Sequence, residues 1–221
     1  MKRVKLYWIL LIAMLLCFSS HSLMAQSNRR LAQKEKKVDR FLKIRNMSAY
    51  PFDGSSMTMA TDKYLEISQQ LQNKYRYNEM PQKAVKIANS CRIKLAIISI
   101  LLEKGNAESY LSKIKSTEMK DQRYLYYIVQ AYYHFQNGRT SNASSAISKA
   151  ITFSAQSKLK PDVKLAIAYF VEQFRLEMGN PPPEQTCNCP NLQGTNRSET
   201  LQKLLVRMML KDIQCQTISL E

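Results

Sequence analysis

"LAIISILL", Leu95 to Leu102, is the stretch on which the fold turns. It ends an apolar series, Ala84, Ala88, Cys91, Leu95, Ile98 and Leu102, that recurs in alternating steps of four and three, the repeat of one helical face. From Leu95 onward the segment is apolar nearly all round, and a helix of that kind must be buried on several sides. The reading is a helix at the centre of the core. Pro81 suits its first turn, Lys104-Gly105 is a glycine C-cap signal, and Asn106 stands ready to cap a shorter helix carrying Tyr110, Leu111 and Ile114.

Working outward, "YPFDGSS" makes a turn-rich break at Pro51 to Ser56, and a helix follows from about Ala60 to Tyr75. Downstream, "DQRYLYYIVQAYYHF" offers Tyr124, Leu125, Ile128, Ala131, Tyr132 and Phe135 for packing and closes at Asn137-Gly138. The helix after it, "TSNASSAISKAITFSA", sets Ala143, Ile147 and Ala150 on one face, where small residues let two backbones approach and the large one fills the gap. "KPDVKLAIAYFVEQFRLEMGN" reads as another helix, with Pro161 at its front, Val163, Ala166, Phe170, Phe174 and Met178 along one face, and Gly179-Asn180 at its end. Three prolines bar a helix from the Pro/Cys loop at 179–197, and a last helix is expected from about Ser198 to Gln216 through Leu201, Leu204, Leu205, Met208 and Met209. Five glycines and seven prolines leave long uninterrupted stretches, so the fold class is all-α, with about seven or eight helices in stacked antiparallel α-hairpins.

The hairpin around Gly138 resembles the tetratricopeptide repeat, a helix-turn-helix unit with a small residue early in its second helix, a large one four later and an alanine three after that. Gly138 stands five before Ala143, as the repeat's turn glycine does, and "AYY" resembles the aromatic end of its first helix. The likeness covers about one repeat. No Trp or Leu-Gly opens the first helix, "AYY" lies too far from the glycine, and Pro161 comes late. What the resemblance implies is an α-α superhelix that serves as an interaction scaffold, its concave face taking a peptide or a partner subunit. Tyr124, Tyr127 and Tyr133 are then the candidate partner surface.

The first 25 residues have the layout of an export signal: Lys2, Arg3 and Lys5, then the apolar run Leu6 to Phe18, then "SSHSLMA" ending at Ala25. The apolar run is shorter than the roughly 20 residues needed to span hydrocarbon. The expected organisation is a signal at 1–25, a basic amphipathic helix and turn at 26–56, and one helical domain at 57–221. Cleavage before Gln26 would remove three positive charges from a formal net charge of +16, so the mature chain remains strongly basic. It would be periplasmic, associated with the outer envelope, or secreted.

The basic helix, "NRRLAQKEKKVDRFLKIRN", opposes its cations with only Glu35 and Asp39, and sets Leu31, Val38, Phe41 and Leu42 on one face. Arg29, Arg30, Lys34, Lys36, Lys37 and Arg40 are candidate contacts to a polyanion or anionic membrane surface. The simpler expectation is a solvated helix docked on the domain. Nucleic acid is disfavoured as a partner for an exported chain.

Four cysteines follow the signal. Cys187, Cys189 and Cys215 are disulfide candidates, the preferred pairing being a single bond from the proline-rich loop to Cys215, while Cys91 lies on the buried stripe as a small hydrophobe. A metal site at "CNCP" lacks a second cysteine pair or a nearby histidine. No catalytic motif is readable, His134 has no partner group spaced to work with it, and Glu172 and Glu177 form no recognisable acid pair, so no cofactor and no enzyme activity is expected. The expected function is an exported scaffold or adaptor binding an envelope protein or peptide. A basic polyanion- or membrane-surface-binding protein is the alternative, and an enzyme without a readable motif comes third.

Overall fold

The computed structural model describes residues 26–45, 50–77, 79–114, 119, 122–180, 187–188, 194–213 and 216–217. Among them are eight helices: α1 (26–44), α2 (Gly54–Lys74), α3 (Gln82–Leu101), α4 (Ala107–Ser112), α5 (Arg123–Gln136), α6 (Thr140–Gln156), α7 (Pro161–Glu177) and α8 (Arg197–Leu210). One two-residue antiparallel pairing joins β1 (Cys187–Asn188) to β2 (Gln216–Thr217), Cys187 opposite Thr217. The fold is all-α. The expected signal at 1–25 lies outside the described residues, as do Cys189, Cys215 and the side chain of Cys187.

The core is built around α3. Ala84, Ala88, Cys91, Ala96 and Ile97 have no exposed surface, and Ile93, Leu95 and Ile98 have almost none. Leu102 is half-buried, because α3 ends at Leu101 and the chain turns away there. Around this hub α3 packs against α2, α4, α5 and α8, while α5 with α6 and α7 with α8 form further packed pairs. Val163 and Met178 lie at the margin of the core, while Ala166, Phe170 and Phe174 are sealed inside it. The core is continuous from Leu31, Val38 and Leu42 of α1 to Leu210.

The stretch after Gly138 answers to packing. Ala143 and Ala150 are wholly buried, and Ile147 is nearly so. The turn before them requires its glycine: Gly138 has a φ of +70°, a left-handed conformation that a side chain resists, and the chain reverses there with Arg139 N–H donating to the His134 carbonyl. Tyr132 is buried and its hydroxyl faces Ser198 and Gln202 of α8. Tyr133 donates to Glu108 at 2.9 Å, and Arg139 lies 3.6 Å from the same carboxylate.

Several helix ends differ from expectation. α2 starts at Gly54, six residues before Ala60, because the Asp53 carboxylate accepts from the backbone and hydroxyl groups of Ser55 and Ser56; what reads as a turn is a helix cap and its first turn. Those bonds, led by the Ser56 hydroxyl, hold the Asp53 carboxyl down at about 2. At the end of α3 the left-handed residue is Glu103, φ 53°, rather than Gly105, and Asn106 makes no side-chain cap to α4. α8 stops at Leu210, where Lys211 turns left-handed and Asp212 N–H bonds the Arg207 carbonyl, so the chain leaves the helix six residues before Gln216. Its start is a reciprocal cap: Asn196 accepts from Glu199 N–H at 2.8 Å, and the Glu199 carboxylate reaches back to Thr195 N–H at 2.9 Å.

Three substitutions check this architecture. Ile98→Ala should lower the unfolding free energy by about 2 to 5 kcal/mol, the usual result of emptying a sealed aliphatic site, in chemical denaturation. Ala143→Leu should cost about 1 to 3 kcal/mol through overpacking of the α5/α6 contact, whereas His134→Ala, at a half-buried position, should melt within a degree or two of the parent.

Candidate functional site

The polar centre of the molecule lies where α1 crosses α2 and α3. Lys94 interrupts the apolar surface of α3 and is only 5% exposed. Its ammonium group meets two carboxylates one turn apart on α1, Glu35 Oε1 at 2.7 Å and Asp39 at 2.6 and 2.8 Å. Ser90 Oγ donates to the same Glu35 oxygen at 2.5 Å, the Tyr64 hydroxyl donates to Asp39 at 2.6 Å, and the ammonium also lies 5.2 Å from the Tyr64 ring centroid. Burial pulls the Lys94 pKa down, but the charges of Glu35 and Asp39 outweigh it and the net shift is upward. Tyr64 is pushed up by burial first and then by Asp39, so it serves as a hydroxyl donor. Cys91, buried beside them, is raised mainly by burial, which keeps its thiol protonated and unreactive.

Next to this cluster opens a cleft of about 1270 Å³. Arg29 and Lys36 of α1 stand on one wall, Lys83 and Lys86 of α3 on the other, and Lys211 at the end of α8 adds a fifth cation. Ala32, Ile87, Pro81 and Tyr75 supply apolar surface between them. Glu35, Asp39 and Glu79 also reach the lining; Lys94 contacts the first two, so that cluster keeps one net negative charge. At the N-terminal end, Asn28 is fixed by the Tyr75 hydroxyl and the Lys74 ammonium, each donating to its Oδ1 at 3.0 Å.

The six cations expected along α1 separate onto different faces. Arg29 and Lys36 enter the cleft. Lys34 instead binds Glu66 at 3.2 Å and Gln70 at 3.4 Å on α2. Arg30, Lys37 and Arg40 are exposed and lie outside the cleft lining. Leu31, Val38 and Leu42 are buried and Phe41 is half-buried, so the helix is docked.

Comparison with protein-family models, with curated proteins and with solved structures finds no match. The site therefore has to be read from its own chemistry.

The tyrosine surface is not a continuous patch. Tyr124 is 7% exposed and offers a partner almost nothing, a correction to its expected role that follows from its place on the inner face of α5. Tyr127 is half-buried, stacked on Phe153 with Lys149 over its face, and Tyr133 is occupied by Glu108. The His134 pKa is lowered by burial and then by Arg139. Glu172 is buried and its carboxyl raised by that burial, while Glu177 is half-buried one turn beyond. Among the described residues no group of three or more His, Cys, Asp or Glu is placed to hold a metal, and no helix is long and apolar enough to cross a membrane. The cysteines of the expected disulfide lie outside the described side chains, and the β1/β2 pairing sets Cys187 opposite Thr217.

Sequence reasoning missed Lys83, Lys86, Lys94 and Lys211. A signal for Lys94 was present: a cation directly before the apolar run Leu95 to Leu102, and two acids four residues apart in a helix otherwise rich in cations. Asp39→Asn leaves Lys94 with Glu35 and weakens its charge-assisted contacts to residue 39, so it should cost about 1.5 to 3 kcal/mol. Lys94→Met should also destabilise, and the double variant should lose less than the sum of the two, which urea denaturation of all three measures. Because the folded pKa of Lys94 lies above its ordinary 10.5, the cluster's contribution should be complete below that pH and fade only as pH rises past it.

Proposed function

We propose that this protein is an exported, non-catalytic helical scaffold that binds an envelope protein or peptide, and that the cleft between α1 and α3 is its binding surface. The observation that supports this best is the cleft itself, whose lining sets cations of α1, of α3 and of the end of α8 beside apolar surface. Such a recess, apolar with a few placed polar groups, has the general make-up of a ligand site. Export rests on the residues before Gln26, and the stacked arrangement of a tetratricopeptide-like array belongs to the same proposal.

A second reading, contact with a polyanion or an anionic membrane surface, is favoured by one observation: Arg30, Lys37 and Arg40 are exposed outside the cleft. Charge alone would drive that contact, and salt would weaken it steeply.

The test is affinity capture from native envelope extracts at moderate salt, with the parent chain, a Lys36→Glu/Lys83→Glu cleft variant and an Arg30→Glu/Lys37→Glu outer-face variant as baits. The expected outcome is a protein retained by the parent and the outer-face variant and lost by the cleft variant, with the mass of the exported chain beginning at Gln26. Loss with the outer-face variant alone would favour the second reading.

A further inference from the structure

We infer that Cys189 and Cys215 form a disulfide, which closes a covalent loop containing α8 and leaves Cys187 outside the bond. The inference is separate from the reading of the cleft and does not depend on what the cleft binds.

The register of the β1/β2 pairing carries it. Cys187 stands opposite Thr217 and Asn188 opposite Gln216, so in an antiparallel pair the next rung sets residue 189 opposite residue 215. Both are cysteine. The backbone has reason to stay extended through that rung, because Cys189 precedes Pro190 and a residue before proline is held in the β or polyproline region. Directly opposite residues of an antiparallel pair have Cα atoms about 4.5 to 5.5 Å apart, inside the roughly 4.4 to 6.8 Å that a disulfide spans. The other pairings fail on the same distances. Residues 187 and 215 are diagonal neighbours in this register, about 7 to 8 Å apart, and a bridge beyond about 7 Å requires the backbone to move. Residues 187 and 189 share one strand, where side chains two apart stand about 6.5 Å from each other, well over the roughly 3.8 Å between bridged Cβ atoms. Cys91 is sealed in α3 with a free thiol, and the ribbon packs on α7 rather than on α3.

The fold brings the two strands together for reasons apart from sulfur. α8 stops at Leu210, Lys211 turns left-handed, and Asp212 returns to Arg207 through both its N–H and its carboxylate, so the chain doubles back with Ile213 packed on the core. α7 contacts β1 and β2 alike. Closing the bond is a two-electron oxidation. One cysteine thiolate attacks the disulfide of a small oxidant such as oxidised glutathione, and the second thiolate then attacks the mixed disulfide and expels the remaining half. The protein loses two electrons and two protons, and the oxidant takes them up as two thiols. An exported chain meets oxidants of that class. The bond ties the segment before α8 to the segment after it, so its main effect is to restrict the unfolded chain.

The test is peptide mapping by mass spectrometry of the full chain, purified without reductant and exposed to oxidised glutathione, with free thiols alkylated by iodoacetamide in denaturant before trypsin. Cleavage after Arg175, Arg197 and Lys211 puts Cys187 and Cys189 on one peptide and Cys215 on another. The expected result is a linked pair of these peptides that carries the alkyl group on Cys187. Cys187→Ser should keep the link, and Cys189→Ser and Cys215→Ser should each reduce it at least about tenfold. Reductant should lower the melting temperature of the parent and of Cys187→Ser by about 5 °C or more, and leave that of the other two variants unchanged. The map of the parent needs no substitution, so it decides the pairing even where a variant fails to fold. A link that carries the alkyl group on Cys189, or alkylation of Cys187, Cys189 and Cys215 together after oxidation, overturns the inference.

Discussion

A lysine ammonium buried inside a helical core has to be neutralised, and among the described residues α1 supplies the carboxylates that do it. Lys94 is held by Glu35 and Asp39, with Ser90 donating to the same Glu35 oxygen and Tyr64 to Asp39. A buried ion pair is not by itself a large source of stability, since desolvation offsets most of its attraction. Its consequence is geometric. Apolar contacts from Leu31, Val38 and Leu42 would tolerate α1 at several rotations and registers, but the two carboxylates meet the ammonium and the Tyr64 hydroxyl in one.

That single register determines where the other charges of α1 go. With residues 35 and 39 turned onto α3, Lys34 falls over α2 and its Glu66, Arg29 and Lys36 fall into the cleft, and Arg30 and Lys37 stay exposed. A helix that reads as uniformly basic is thus divided by one polar contact into a structural side, a cleft side and an outer side. The same contact offsets one of the two negative charges that α1 brings to the cleft floor. Docking and binding chemistry therefore share the same residues.

The helical core was legible because its signal is periodic and local. The apolar series from Ala84 to Ile98 and the small-large-small face of α6 are buried as their spacing requires, and the glycine turn at 138 is where the letters put it. Helix ends were less legible, since they depend on individual hydrogen bonds: Asp53 turns an apparent break into the start of α2, and Lys211 ends α8 at a residue with no sequence mark of a stop. The site was legible only in part. Arg29 and Lys36 stood out in a cationic run, but Lys83, Lys86 and Lys211 come from elements far apart in the chain, and nothing local shows that they face one space.

The contact between Glu35 and Lys94 joins residues 59 apart in sequence, and that separation orders the events of folding. A chain delivered from its N-terminus presents α1 first, with its acids and its apolar stripe, well before α3 follows. Until then α1 has neither its ion partner nor a surface on which to bury Leu31, Val38 and Leu42, and a lone helix of this length is marginal in water. Closing so long a loop carries an entropic cost that is recovered only when the whole contact forms. Although α1 precedes α3 along the chain, it is therefore among the last elements to find its place, and the cleft it walls comes into being only when the core is complete.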